Sequence, residues 1–207
     1  MPGLILLDYL GVAPFAATGA LAASRKQLDI VGFLFLATLT EVGGGTVRGL
    51  ILDLPVFWVT QQLYLLVCAG VALLVFFTAH LVESRYRWLL WLDAVALAAY
   101  GVFGAAKGLA ATGSPVVAVA MGMLTGSFGG ILRDVVAGEP SVLMRREIYV
   151  TAALAGAAGF VAADALGLPL VVSAVLGAGL AFGVRAGALA FGWALPVYRP
   201  RPGRDMR

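Results

Sequence analysis

Slid along itself by 85 residues with no gap, the chain finds itself again: LTEVGGGTVRGLILDLPVFWVTQQLY (39–64) falls on LTGSFGGILRDVVAGEPSVLMRREIY (124–149). Leu39/Leu124, Thr40/Thr125, Gly44/Gly129, Gly45/Gly130, Arg48/Arg133, Pro55/Pro140 and Tyr64/Tyr149 are identical pairs. Earlier in the chain Asp8 meets Asp93, and Gly19-Ala20 meets Gly104-Ala105. Leu and Ala coincidences are common in an apolar chain. Gly-Gly, Arg, Pro and Tyr at one constant offset are not.

What is repeated is membrane-spanning. Seven apolar runs, roughly 4–23, 28–52, 58–80, 88–110, 115–137, 147–166 and 168–192, are each about the 20 residues that a helix needs to cross a bilayer. Only 12% of the chain is charged and 61% is hydrophobic, where a soluble domain carries about 25% charge. A transmembrane barrel would show short alternating segments instead. The fold class is therefore an all-α integral membrane protein. The offset covers three spans, an odd number, so the two copies cross in opposite senses. This is an inverted repeat of three plus three helices followed by a seventh. The expected boundaries are about 4–80 and 88–166 for the repeats, 168–192 for the last helix and 193–207 for a basic tail.

Ten basic residues lie on one side of such an arrangement: Arg25 and Lys26, Arg85 and Arg87, Arg145 and Arg146, and Arg199, Arg201, Arg204 and Arg207 in the tail. The positive-inside rule makes that side cytoplasmic, with the N-terminus outside and the C-terminus inside. The first run has no basic residue before it and is broken by Asp8 and Pro14, so it reads as a retained helix and not as a secretory signal. A net charge of +3 gives nucleic acid little to bind.

The remaining basic residues, Arg48, Lys107, Arg133 and Arg185, fall within spans or at their margins. Snorkelling suits Arg185, near the end of the last span. Arg48 and Arg133 recur in the repeat, and intramembrane charge is a functional-site signal by default. Arg48 has Asp53 or Glu41 as candidate partners; Arg133 has Asp134, Glu139 or Glu147. Lys107 has no acidic residue within a turn and stands where the first copy has Ala22. Such a cation facing a pathway could act as a plug, a ligand anchor or a voltage-sensing group. Beside the arginines, Gly43, Gly44 and Gly45 in the second span and Gly129 and Gly130 in the fifth weaken the helix. Kinked or unwound backbone is expected there, with freed carbonyls able to meet a cation. Thr40, Thr46, Thr125 and Ser127 add hydroxyl oxygens. The competing reading is that the glycines are close contacts between helices, as Gly101, Gly104 and Gly108 look to be. Straight helices at both clusters would remove the reason for siting a pathway at them.

Cys68 reads as a small buried hydrophobe, and neither it nor His80, near Glu83, has metal-ligand spacing around it. No nucleophile–base pair, nucleotide motif or cofactor motif is present, so neither an enzyme nor a resident cofactor or metal is expected. A scaffold without transport would leave the repeated arginines without a use.

At GGGTVR (43–48) and FGGILRD (128–134) the chain resembles the prokaryotic branch of the trimeric intracellular cation (TRIC) channels, some of whose bacterial relatives are described as glycine transporters. The resemblance implies a homotrimer in a prokaryotic plasma membrane, surrounded by lipid. Each subunit would carry a pore lined by kinked second and fifth helices and passing potassium and sodium. The family's glycines map to Gly43, Gly44, Gly45, Gly129 and Gly130, with Thr46 and Ser127 beside them, and its basic positions to Arg48, Arg133 and Lys107. Glu41 and Asp134 complete the charges expected along the pathway. The second cluster reads FGG, not GGG, and the lysine-glutamate-valine lipid signature of the animal branch has no counterpart. The alternative is a secondary transporter of a small amino acid such as glycine, since inverted repeats serve alternating access equally well.

Overall fold

The structure is a computed structural model describing residues 2–82, 84–145, 147–196 and 198, with the side chains of residues 2–10 left undescribed. Glu83, Arg146, the tail arginines and the Asp8 side chain thus lie outside the described residues. Its helices are α1 (Pro2–Arg25), α2 (Ile30–Ile51), the short α3 (Phe57–Thr60), α4 (Leu63–Thr78, ending in a 3-10 turn), α5 (Arg85–Thr112), α6 (Pro115–Val136), α7 (Val150–Ala165) and α8 (Leu170–Phe191). Five segments are long and apolar enough to cross a membrane: 30–51, 63–81, 85–112, 115–136 and 170–191. The α7 helix is apolar but shorter. The protein is an all-helical integral membrane protein.

The segment expected as one span over 58–80 is divided. Pro55 cannot continue α2, α3 makes a single turn, and Gln61 and Gln62 separate it from α4. Trp58 then reaches back, its Nε1–H donating to Thr46 Oγ1 at 2.9 Å.

The equivalent helices α2 and α6 begin and end 85 residues apart. Asp29 caps α2 by accepting from Gly32 N–H, and Ser114 caps α6 by accepting from Val117 N–H. Side-chain oxygens satisfy the otherwise orphaned first-turn donors. Leu52 and Ala137 close the two helices by donating to the Arg48 and Arg133 carbonyls. Each chain then turns through a left-handed residue, Asp53 (φ 53) and Gly138 (φ 63), the conformation that Gly and Asp tolerate best. The repeat is visible down to its caps and turns.

Within each half the first helix packs on the second in the same way. A Cβ on Gly19 would collide with Leu36 O and lie 2.6 Å from Thr40 Oγ1; one on Gly104 would lie 2.7 Å from Met121 O and 2.5 Å from Thr125 Oγ1. All of these positions correspond at the 85-residue offset. Outward, Leu66, Leu73, Leu74 and Phe77 of α4 and Val172, Val175 and Leu176 of α8 are exposed. In a membrane such side chains meet lipid or another subunit.

Candidate functional site

Gly44 of α2 sits against the Thr125 carbonyl of α6, and Gly129 of α6 against the Thr40 carbonyl of α2; a Cβ at either would collide with that oxygen. As the α2 residue number rises by four, from 40 to 44, its α6 partner falls by four, from 129 to 125. The helices are antiparallel, and the contact is reciprocal, as a two-fold axis between them requires. The same relation holds one layer away, where Phe15 of α1 stacks on its equivalent Tyr100 of α5 with ring centroids 5.3 Å apart.

This corrects one expectation. Both helices are continuous α-helix through Gly43–Gly45 and Gly129–Gly130. The glycines do not unwind the backbone, and no freed carbonyls are exposed there by a break. They are close-packing contacts, the reading set against the pathway in the sequence. Gly45 lies under the Phe57 ring and Gly130 under the Tyr149 hydroxyl, while Gly43 abuts Leu132. The hydroxyls are also turned inward: Thr40 donates to Leu36 O and Thr125 to Met121 O, each at 2.6 Å. Thr46 donates to Val42 O and Ser127 to Met123 O, each at 2.7 Å. Such back-bonding bends helices slightly without breaking them.

The charges make three sets of contacts. Glu41 is buried in α2; it accepts from Tyr100 O–H at 2.7 Å and from the Cys68 thiol at 3.7 Å. Cys68 is fully buried, as expected, but the carboxylate beside it was not foreseen. Arg48 and Lys107 meet over one ring: the Arg48 guanidinium lies 5.1 Å and the Lys107 ammonium 5.5 Å from the Phe103 centroid. Two cations drawn to one aromatic ring gain from its quadrupole while repelling each other. Lys107 is exposed at that point and Arg48 is buried.

The third set is a buried ion network. Arg133 donates through Nη1 to Asp93 Oδ1 at 2.7 Å, and through Nε and Nη2 to Asp134 Oδ1 at 3.0 and 2.9 Å. Tyr149 O–H donates to Asp93 Oδ1 at 3.4 Å, and Asp134 Oδ2 accepts from the Val142 amide. Of the three acids weighed for Arg133, Asp134 is the one it meets. Glu139 instead meets Lys26 at 3.0 Å and Arg25 at 3.5 Å, and the Lys26 ammonium, with Arg25 and Arg145 beside it, holds the Glu139 carboxyl below its ordinary range. Glu147 meets Arg185 at 2.8 Å. Arg185 does not snorkel: it is fully buried, donates also to Ile148 O and lies 5.1 Å over the Tyr149 ring. Asp93 is the residue missed. An acid within the 88–110 run, near its start, carried the intramembrane-charge signal, but its partner is 40 residues away.

These features define a class: a polytopic helical membrane protein of two equivalent antiparallel halves, with buried charge on either side of a glycine crossing. A family model described as "Glycine transporter" matches the chain twice, at 5–80 and 90–165. The UPF0126 inner membrane protein YadS of Escherichia coli K12 is 38% identical over 197 residues, covering 93% of this chain and 94% of that protein. A UPF0126 membrane protein of Vibrio cholerae is 36% identical, covering 94% of this chain and 82% of its own length. Among solved structures, the TRIC trimeric intracellular cation channel orthologue from Rhodobacter sphaeroides is 52% identical, with TM-score 0.90 over 93% of this chain and all of that one. A prokaryotic TRIC channel crystallised in 0.5 M KCl is 25% identical, with TM-score 0.86 over 93% and 98% of the two chains. The chain belongs to the prokaryotic TRIC family, whose bacterial members the glycine-transporter and UPF0126 descriptions also cover.

Proposed function

We propose that the protein is a homotrimeric channel for monovalent cations, potassium and sodium, in a prokaryotic inner membrane, with one pore per subunit running beside α2 and α6. The observation that carries this reading is the 52% identity and 0.90 TM-score to the Rhodobacter channel orthologue. The proposed pathway residues are Glu41, Gly43, Gly44, Gly45, Thr46, Arg48, Lys107, Ser127, Gly129, Gly130, Arg133 and Asp134. Their ground is no longer a helix break. With the glycines bringing each backbone against a carbonyl of the other helix, the two helices meet without a gap, and on this reading that contact is the closed state of the pathway. Conduction then requires α2 and α6 to part. Arg133 and Asp134, locked with Asp93, would anchor α6 while the crossing opens.

Purified protein in a planar bilayer should give unitary current steps in potassium chloride. Electrical silence together with saturable glycine uptake by proteoliposomes would favour the transporter, the second reading, which the name of the matching family model supports. Lys107, exposed over Phe103, is the proposed gating charge. One charge crossing the whole field is worth about 2.3 kcal/mol per 100 mV, and a fraction of the field proportionally less. Lys107→Gln should flatten the voltage dependence of opening and raise cation conductance while the protein still assembles. Records identical to wild type in both respects would make Lys107 a structural residue.

The proposed orientation places the loops bearing Arg25, Lys26, Arg85, Arg87 and Arg145 in the cytoplasm, with Trp88 and Trp91 near the headgroups at that end of α5. In a Cys68→Ser background, a cysteine at Arg87 should be protected from impermeant thiol reagents in intact cells and one at Ala111 labelled. The reverse pattern would invert the topology. Ala111 is preferred to Gly113, whose φ of 64 would strain a cysteine.

A further inference from the structure

The two-fold relation that equates the halves does not equate the two ends of the crossing. At the end formed by the start of α2 and the finish of α6, three loops are tied together by charge. Glu139, just past α6, holds Lys26 at 3.0 Å and Arg25 at 3.5 Å, where α1 ends and its connection to α2 begins. Tyr86, at the start of α5, lies under both arginines: Arg25 is 4.6 Å and Arg145 5.7 Å from its ring centroid, and Arg145 also donates to its hydroxyl. Arg145 returns to the α6–α7 loop by donating to Pro140 O at 3.1 Å. At the other end the 85-residue offset puts Leu54 in place of Glu139, Ala110 and Ala111 in place of Arg25 and Lys26, and Thr60 in place of Arg145. None of these carries charge.

We infer that Glu139 with Lys26 and Arg25 is an electrostatic latch closing one mouth of the α2–α6 crossing, and that the opposite mouth has no equivalent of it. The inference rests on the reading of this crossing as the pathway. The pairs suit the task because they are half-exposed: side-chain exposure is 36% at Lys26, 30% at Arg25 and 21% at Glu139. Exposed ion pairs are weak and salt-sensitive, so such a closure opens reversibly, which the buried Arg133 network could not do. There is also room for movement. A cleft of about 390 Å3, lined in part by Val142, Arg145, Glu147, Tyr149 and Leu195, lies beside the α6–α7 loop. Beneath the latch, Ala137 packs into the core cluster that contains Cys68, Ala37 and Phe33. Loosening Glu139 is therefore expected to loosen the packing of the cluster that holds the native thiol.

Cys68 makes the test independent of ion flux. With N-ethylmaleimide as the probe, Glu139→Gln should speed alkylation of Cys68 in the detergent-purified protein by roughly two- to thirtyfold, the range expected for losing two exposed pairs. Wild-type alkylation should also accelerate in about 1 M salt, where the screening length falls to about 3 Å. The Glu139→Gln rate should be insensitive to salt, which general loosening of the fold would not produce. Equal rates in wild type and Glu139→Gln, or a wild-type rate indifferent to salt, would overturn the latch. For transport, Lys26→Cys with Glu139→Cys in a Cys68→Ser background, joined by a short bifunctional thiol reagent, should lose at least tenfold in potassium flux against the same protein unlinked. Undiminished flux in the linked protein also overturns it. Absence of potassium flux from wild type and unlinked protein alike would instead defeat the channel reading, with the Cys68 rates still deciding the latch.

Discussion

Asp93→Leu is expected to be the most damaging single substitution in the chain. Arg133 is about 1% exposed and donates its hydrogen bonds to Asp93 and Asp134. Removing one partner of a buried ion pair typically costs about 3–5 kcal/mol, because the remaining charge stays buried and uncompensated. Tyr149 loses its acceptor in the same step. The expected result is little or no folded protein on size-exclusion chromatography in mild detergent, against a single peak for wild type. Removing the charge from both sides separates the causes. Asp93→Leu combined with Arg133→Met should recover much of the loss, since apolar replacement of a whole buried pair is often close to neutral. If Asp93→Leu alone leaves the thermal midpoint within a degree or two of wild type, the network is not holding α5 to α6.

The second large effect is at the crossing. Gly129→Leu places a side chain where the Thr40 carbonyl already stands, and Gly44→Leu does the same to the Thr125 carbonyl. Carbonyls within a continuous helix cannot swing away, so the helices must separate. Overpacking of this kind typically costs about 1–3 kcal/mol and occasionally more. Both variants should lower the thermal midpoint, by similar amounts because the contacts are equivalent. Any assembled protein should show an altered open probability. Gly70 and Gly179, where a Cβ would meet nothing within 4 Å, are the controls, and leucine there should leave the monomer's stability unchanged. A Gly129→Leu protein as stable as these controls would refute the close-packed crossing.

How much of this could be read from the residues differs feature by feature. The halves were legible because Gly44/Gly129, Gly45/Gly130, Arg48/Arg133, Pro55/Pro140 and Tyr64/Tyr149 recur at one constant offset, and such a repeat is read without knowledge of spatial neighbours. The glycine clusters were legible as costly and illegible as to why. A glycine that lets a helix unwind and one that lets another backbone approach carry the same local penalty, and only the position of a carbonyl in the other half of the chain decides between them. Arg185 failed for a similar reason. Its place near a helix end suggested escape to the headgroups, but Glu147 and Tyr149 enclose it, and they arrive by way of the α6–α7 loop. Asp93 was visible as an acid in an apolar run, while its pairing with Arg133 depends on how α5 packs on α6.

The reciprocal crossing also sets an order of assembly. Gly19 can settle on the Leu36 carbonyl as soon as α1 and α2 have entered the membrane, and Gly104 on Met121 likewise once α5 and α6 follow. The notch at Gly44 has no such local partner. It stays unfilled until the Thr125 carbonyl arrives, which at about 5–20 residues per second of synthesis leaves it open for roughly 4–16 s. The nascent chain is therefore two finished hairpins before it is one protein, and each carries an uncovered glycine face shaped for the other.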